Sequence, residues 1–477
     1  MTKVLGNLIG DEIRYSGTVH DVISPVTGTV TDNVYIVPKD EISKALRLLP
    51  NRPPTLLVSE VLQFLGRFKE QLRIQKDLFY EKTYLETGFI ARDSIEVVDS
   101  AIEFLNDFEV YIHDKSFNGY TVKHSYSPGS DREIRITDRP FRYVAAVVPQ
   151  NASLTLGITI IASALYSGAR VILRPSLQCA STGAALAELI IKSQPPEWSV
   201  MVINSMADDF LDACFDSDKV DLIHYIGSNR YAMPVFSKAF NSGKQCLLDG
   251  NGNGFLYLDD TFAVEEGVRI ITSAATRFNG ETCTSVNGVL IKDTVYNEVR
   301  EALVESFKNL RVGHPLEPEV NVGPLFSVEH AMSLHEAILG TKGRILCGGH
   351  ANSAYFSPAI AEGVRMSDRL VQEGIFGPVL WMQKVNEDSV WEWLRANRFP
   401  LSDTILSHDR DLIQLFAGNS KAARICVNQD PSIESMFEPW GGYPPSGSNP
   451  VSLWIEKYRQ IYQLDGKLRE IVMLRDA

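Results

Sequence analysis

A chain of 477 residues exceeds one ordinary hydrophobic core, so two or three domains are expected. With 44% apolar and 22% charged residues it reads as globular, and a net charge of −13 argues against the basic face that a nucleic-acid partner requires. Six cysteines, at 179, 214, 246, 283, 347 and 426, form neither a disulfide framework nor a metal pattern, so reduced thiols in the cytoplasm and no bound metal are the expectation.

Asp11 and Glu12 interrupt the N-terminal stretch where a signal peptide needs a continuous apolar run. Residues 54–112 carry helical periodicity. The pattern then changes: 119–140 alternates around a Pro-Gly-Ser-Asp turn, the mark of a β-hairpin. A repeated β-then-α pattern follows, with strands over 142–149, 170–176, 198–205 and 220–228. Strands that are apolar on both faces and alternate with helices predict a parallel sheet covered on each side, an α/β fold. The segment 154–166 falls short of the ~18 residues a membrane span needs, so it reads as a buried helix, with no membrane partner.

The link GNGN (250–253) leads into a second α/β region. It contains the helix AVEEGVRIITSAATRF, the turn FNGETCTSVNG (278–288) and the strand GVLIKD. The end, DGKLREIVML, reads as a strand that could pair with the hairpin. Within the turn, Cys283 is either a thiol held out for chemistry or a small residue in a tight bend, and the residues alone leave both open.

Eight segments, in order, resemble the aldehyde dehydrogenase superfamily: SPVTGTV (24–30), ETG (86–88), PFRYVAAVVPQNASL (140–154), GARVILRPS (168–176), IGSNRYA (226–232), GETCTSV (280–286), EGIFGPVL (373–380) and PWGGYPPSG (439–447). The resemblance implies a Rossmann-type NAD(P)-binding domain over 1–118 and 141–249 and an α/β catalytic domain over 250–447. It also implies a small β oligomerisation arm over 119–140 and 448–477, in a homodimer or homotetramer. The chain looks like a divergent member, with some features similar to the coenzyme-A-acylating branch.

The resemblance makes Cys283 the nucleophile, whose thiolate attacks an aldehyde carbonyl. Asn151 becomes an oxyanion donor beside the Cys283 N–H, against the plain alternative of a cap for the helix starting near Ser153. Asp249, 34 residues before Cys283, stands where the family has a glutamate general base, one methylene shorter; otherwise it is a turn residue. Glu281 would raise the thiol pKa if it faced the sulfur, so it is read as pointing away.

For the cofactor, NAD or NADP, the matched positions are Val148 and Pro149 at a strand end, Arg174 in place of a lysine, Ser176, and Gly250. Leu177 and Gln178 supply no ribose-binding acid, which leaves the choice of dinucleotide open. Gly227 and Ser228 open a helix whose N-terminus suits a pyrophosphate. Gly374 replaces a nicotinamide-ribose glutamate, with Glu373 one residue earlier, and Phe376 packs near the nicotinamide or is simply core. The leading expectation is oxidation of a small-molecule aldehyde to a carboxylic acid through a Cys283 thioester. The alternatives are an acyl-thioester reductase or acylating enzyme, in which a coenzyme A or carrier-protein thiol exchanges with the thioester, and an inactive scaffold. The substrate tunnel would draw on 106–114, 152–158, 277–284 and 430–440.

Overall fold

The computed structural model describes residues 4–113, 120–123 and 132–467. Five parallel strands form the heart of the first sheet. Tyr143–Val147 lies at the centre, with Arg170–Arg174 and Val200–Val202 on one side, and Leu222–Ile226 and Gln245–Asp249 on the other. Alternate residues of the central strand serve opposite faces, as a period of two demands. Val144 and Ala146 pack with the helices Val58–Ile74, Ala91–Ile112 and Ser153–Tyr166, whereas Tyr143, Ala145 and Val147 pack with Lys39–Leu48 and Ala207–Asp216. Ser153–Tyr166 is buried along most of its length, and no described helix is long and apolar enough to cross a membrane.

Strand order reverses at Tyr143–Val147. Such a reversal opens a crevice at the carboxyl ends of the strands, where ligands of doubly wound sheets sit. Asn7–Ile9 adds an antiparallel strand through Leu8 and Val202, and Glu12–Arg14 pairs beyond it at the edge.

After Asp249 the chain leaves this sheet, crosses residues 250–253 and enters a seven-stranded sheet at Gly254–Leu258. That strand lies between Val286–Lys292 and Ser402–Leu406, both parallel to it. The sheet is covered by apolar clusters on its two faces, one including Phe255 and Trp381 and the other Leu256 and Ile291. The chain later returns to the first sheet, where Gly447–Ser452 pairs antiparallel with Gln245–Asp249 and sets Gly447 opposite Asp249. The strand over 447–452 therefore sits in the first sheet and not in the arm, which corrects the boundary read at 448.

A separate three-stranded sheet joins Tyr120–Lys123, Arg132–Pro140 and Arg459–Lys467. The C-terminal strand does pair with the second hairpin strand, from Arg459 opposite Pro140 to Lys467 opposite Arg132. It begins earlier than the DGKLREIVML segment suggested. The Pro-Gly-Ser-Asp turn and residues 468–474 of that segment lie outside the described residues.

Candidate active site

The helix Val264–Thr276 ends in a bend built from Phe278, Asn279 and Gly280, with φ of 51°, 57° and 67°. Three successive left-handed residues are costly for side chains with a Cβ, so other contacts must hold them. Asn279 is fully buried: Nδ2 donates to the carbonyls of Gly88 (3.1 Å) and Pro324 (3.0 Å), and Oδ1 accepts from the N–H of Gly323 (2.8 Å). The Phe278 N–H donates to the buried carboxylate of Asp93 at 2.9 Å. Gly280 has no room for a side chain, because a Cβ would lie 2.5 Å from the Gly377 carbonyl carbon. The bend delivers Cys283 just before the buried strand Val286–Lys292.

Cys283 faces a cavity of about 540 Å³ between the two sheets. All but one of the residues given a catalytic or cofactor-binding role from the sequence line it: Cys283, Asn151, Asp249, Val148, Pro149, Arg174, Ser176, Gly227, Ser228, Gly250 and Phe376. Glu373 does not. Its half-exposed side chain pairs with Arg369 at 2.7 Å, so the structure does not bring it into the site. Gly374 has no space for an acid, since a Cβ there would meet the Gly252 carbonyl oxygen at 1.9 Å. Gly252 in turn abuts Cys283, where its own Cβ would lie 2.1 Å from the Cys283 carbonyl oxygen. Backbone stacked on backbone therefore backs Cys283 from behind.

Asn151 lies in the short helical turn Gln150–Ala152 and caps no helix, which leaves its amide for the cavity. Arg174, at the end of Arg170–Arg174, is 9% exposed; its Nε donates to the Ser205 carbonyl at 3.1 Å, and burial lowers its pKa to about 10. Among the described residues no carboxylate pairs with it. Ser228 caps Asn229–Asn241 by accepting the Arg230 N–H at 3.3 Å.

Asp249 is 3% exposed and heavily engaged. Its oxygens accept from Nε2 of His224 (2.8 Å), Nε1 of Trp440 (3.1 Å) and Nδ2 of Asn449, which reaches both at 2.9 Å. Behind these donors, His224 Nδ1 meets the Tyr458 hydroxyl at 3.1 Å, and Lys457 donates to Asn449 Oδ1 at 2.9 Å. Burial lowers the Lys457 pKa to about 8, against the pull of Asp249.

Burial pushes the Cys283 thiol up, and the carboxylates of Glu434 and Asp249 add to it while Arg424 opposes them. Glu281 is itself buried, accepts the Phe326 N–H at 3.2 Å and is raised well above the usual carboxylate range by burial. It does not line the cavity. Glu434 does, and nothing in the sequence singled it out; only the range 430–440 was marked as tunnel wall. Its side chain is 34% exposed to solvent, at the open side of the lining. The ETG motif proves structural: Glu86 is buried at the start of Ala180–Lys192, accepting from the N–H and hydroxyl groups of Ser181 and Thr182.

A model of the aldehyde dehydrogenase family matches residues 14–464. The chain is similar to lactaldehyde dehydrogenase of Methanocaldococcus jannaschii, 23% identical over 90% of this chain and 92% of the relative. It is also similar to mitochondrial succinate-semialdehyde dehydrogenase of Oryza sativa, 25% identical over 79% and 72%. Among solved structures, the NAD+ complex of an aldehyde dehydrogenase from Bacillus cereus superimposes with a TM-score of 0.90 at 19% identity, covering 98% of this chain and 97% of that one. Glyceraldehyde-3-phosphate dehydrogenase of M. jannaschii complexed with NADP gives 0.82 at 22% identity, over 95% and 99%.

Proposed function

We propose, on the premise that this chain belongs to the aldehyde dehydrogenase family and is an NAD(P)-dependent oxidoreductase acting on aldehydes, that Cys283 and Asn151 carry its chemistry. One observation supports this above the others: a thiol on a braced turn of one sheet and a free amide at a strand end of the other line a single cavity. The cavity fits a dinucleotide, because it opens at the strand-order reversal and holds the unpaired cation of Arg174 beside Ser176. Arg174 and Ser176 would hold the ribose end, and the helix start at Gly227–Ser228 the pyrophosphate. Bound there, NAD(P)+ would supply the hydride acceptor.

The chain's own residues account for the rest. The sulfur of Cys283 bonds to the carbonyl carbon, and the Asn151 amide with the Cys283 N–H donates to the alkoxide that forms. The same sulfur later carries the acyl group as a thioester, and release to water gives a carboxylic acid. The three donors on Asp249, which make four contacts, favour a second reading, in which an external thiol takes the acyl group. The test follows NAD(P)H from lactaldehyde, glyceraldehyde and succinic semialdehyde with each dinucleotide, with and without coenzyme A. Turnover in wild type and its loss by about 10⁴-fold or more in C283S are expected. Strict dependence on coenzyme A would replace hydrolysis with acyl transfer. Turnover unchanged in C283S would remove Cys283 from the chemistry.

A further inference from the structure

Four carboxylates line the cavity with Cys283: Glu96, Asp249, Glu434 and Glu438. A carboxylate has about four lone-pair sites. Asp249 has all of them occupied, by His224, Trp440 and both contacts from Asn449. Glu96 is ion-paired with Arg277. Glu438 accepts the Ser435 N–H at 3.0 Å and lies 3.4 Å from Nη2 of Arg424.

Glu434 is placed differently. Its Oε1 accepts from Nη1 of Arg424 at 3.0 Å, and the residue lines the cavity together with Thr282 and Cys283. About a third of the side chain is exposed to solvent, so a water can reach it. We propose that Glu434 is a catalytic residue, the general base that activates the water releasing the acyl group from Cys283, in place of Asp249. This rests on the reading of Cys283 as the acylated nucleophile.

The step balances without an oxidant. The water oxygen bonds to the acyl carbon as its O–H bond breaks, and the proton passes to a Glu434 oxygen. The C–S bond then breaks with its electron pair going to the Cys283 sulfur, and the acyl group leaves as a carboxylic acid. Glu434 returns its proton to solvent through the open side of the cavity. Asp249 becomes a positioning residue that fixes Trp440 and Asn449 against the strand Gln245–Asp249.

The test uses the full chain and p-nitrophenyl acetate, which acylates Cys283 directly and needs no dinucleotide. Wild type is expected to release a p-nitrophenolate burst and then turn over, with C283S giving neither. E434Q, equal in size and shape, is expected to keep the burst, accumulate acetyl on Cys283 by intact mass, and deacylate about 10²–10⁴-fold more slowly. Hydroxylamine, a nucleophile that needs no base, should restore turnover in E434Q, which a merely structural loss would not allow. E434D should deacylate between the two. Deacylation of E434Q at the wild-type rate, or a slow rate that hydroxylamine leaves unchanged, would overturn the assignment. A wild-type burst that persists in C283S would instead overturn the reading of Cys283, and the inference with it.

Discussion

Asn279 brings no atom to the cavity, yet it holds the bend that carries Cys283. In N279A, two carbonyls and the N–H of Gly323 lose their partners in a fully buried setting. The N–H costs about 1–3 kcal/mol when left unsatisfied, and the carbonyls less, since each has a second lone pair. Alanine at φ 57° adds about 1 kcal/mol of backbone strain that glycine avoids. N279A is therefore expected to destabilise by about 3–5 kcal/mol, and N279G by about 1 kcal/mol less. Urea denaturation of wild type and the two variants reads both quantities, and labelling of Cys283 by a thiol reagent reports whether the turn has moved. A loss below about 1 kcal/mol in both variants, or N279A at least as stable as N279G, would refute the view that this side chain sets the bend.

Two further outcomes follow from buried groups. Asp403 is 1% exposed, and burial raises its pKa to about 6 despite hydrogen bonds from Ser420 and the Phe255 N–H. The folded carboxyl thus holds its proton more tightly than the unfolded one, near 3.9. Its contribution is complete below about pH 4 and lost as pH rises through 6, roughly 3 kcal/mol at most. D403N should flatten the fall in stability between those values; an unchanged slope in denaturation at pH 4.5 and 7 would count against it. G374A should lose about 1–3 kcal/mol and acylate Cys283 more slowly, because the new methyl drives Gly252 into the nucleophile's backbone. The control is G418A, in the helix Arg410–Asn419, where a Cβ meets nothing within 4 Å and a small gain is expected. Equal behaviour of the two variants would show that the close approach is absent.

Much of the architecture is written in local patterns. The buried runs YVAAV and RVILR and the helix between them follow from strands covered on both faces. The helix Ala207–Asp216 escaped such reading. Phe210, Leu211, Cys214 and Phe215 make only a narrow stripe among four aspartates, and the helix Lys39–Leu48 that covers it lies far away in the chain. Glu373 lies outside the cavity for a related reason. Spacing put a carboxylate one residue from the right place, but side-chain direction depends on a backbone whose neighbour, Gly374, is pressed against Gly252.

The sequence by itself determined the α/β class and which strands end in loops at a shared crevice, because periodicity acts between near neighbours, while Cys283 stands out only through the resemblance of its turn to a family motif. Which carboxylate remains able to take a proton was decided only by tertiary structure. Trp440 and Asn449, which fill Asp249, come from 191 and 200 positions away. Arg424 holds Glu434 at the cavity that Cys283 also lines, from a separate element of the chain. The lone pairs of a carboxylate are allotted by whatever packs around it, and that allotment has no period to read.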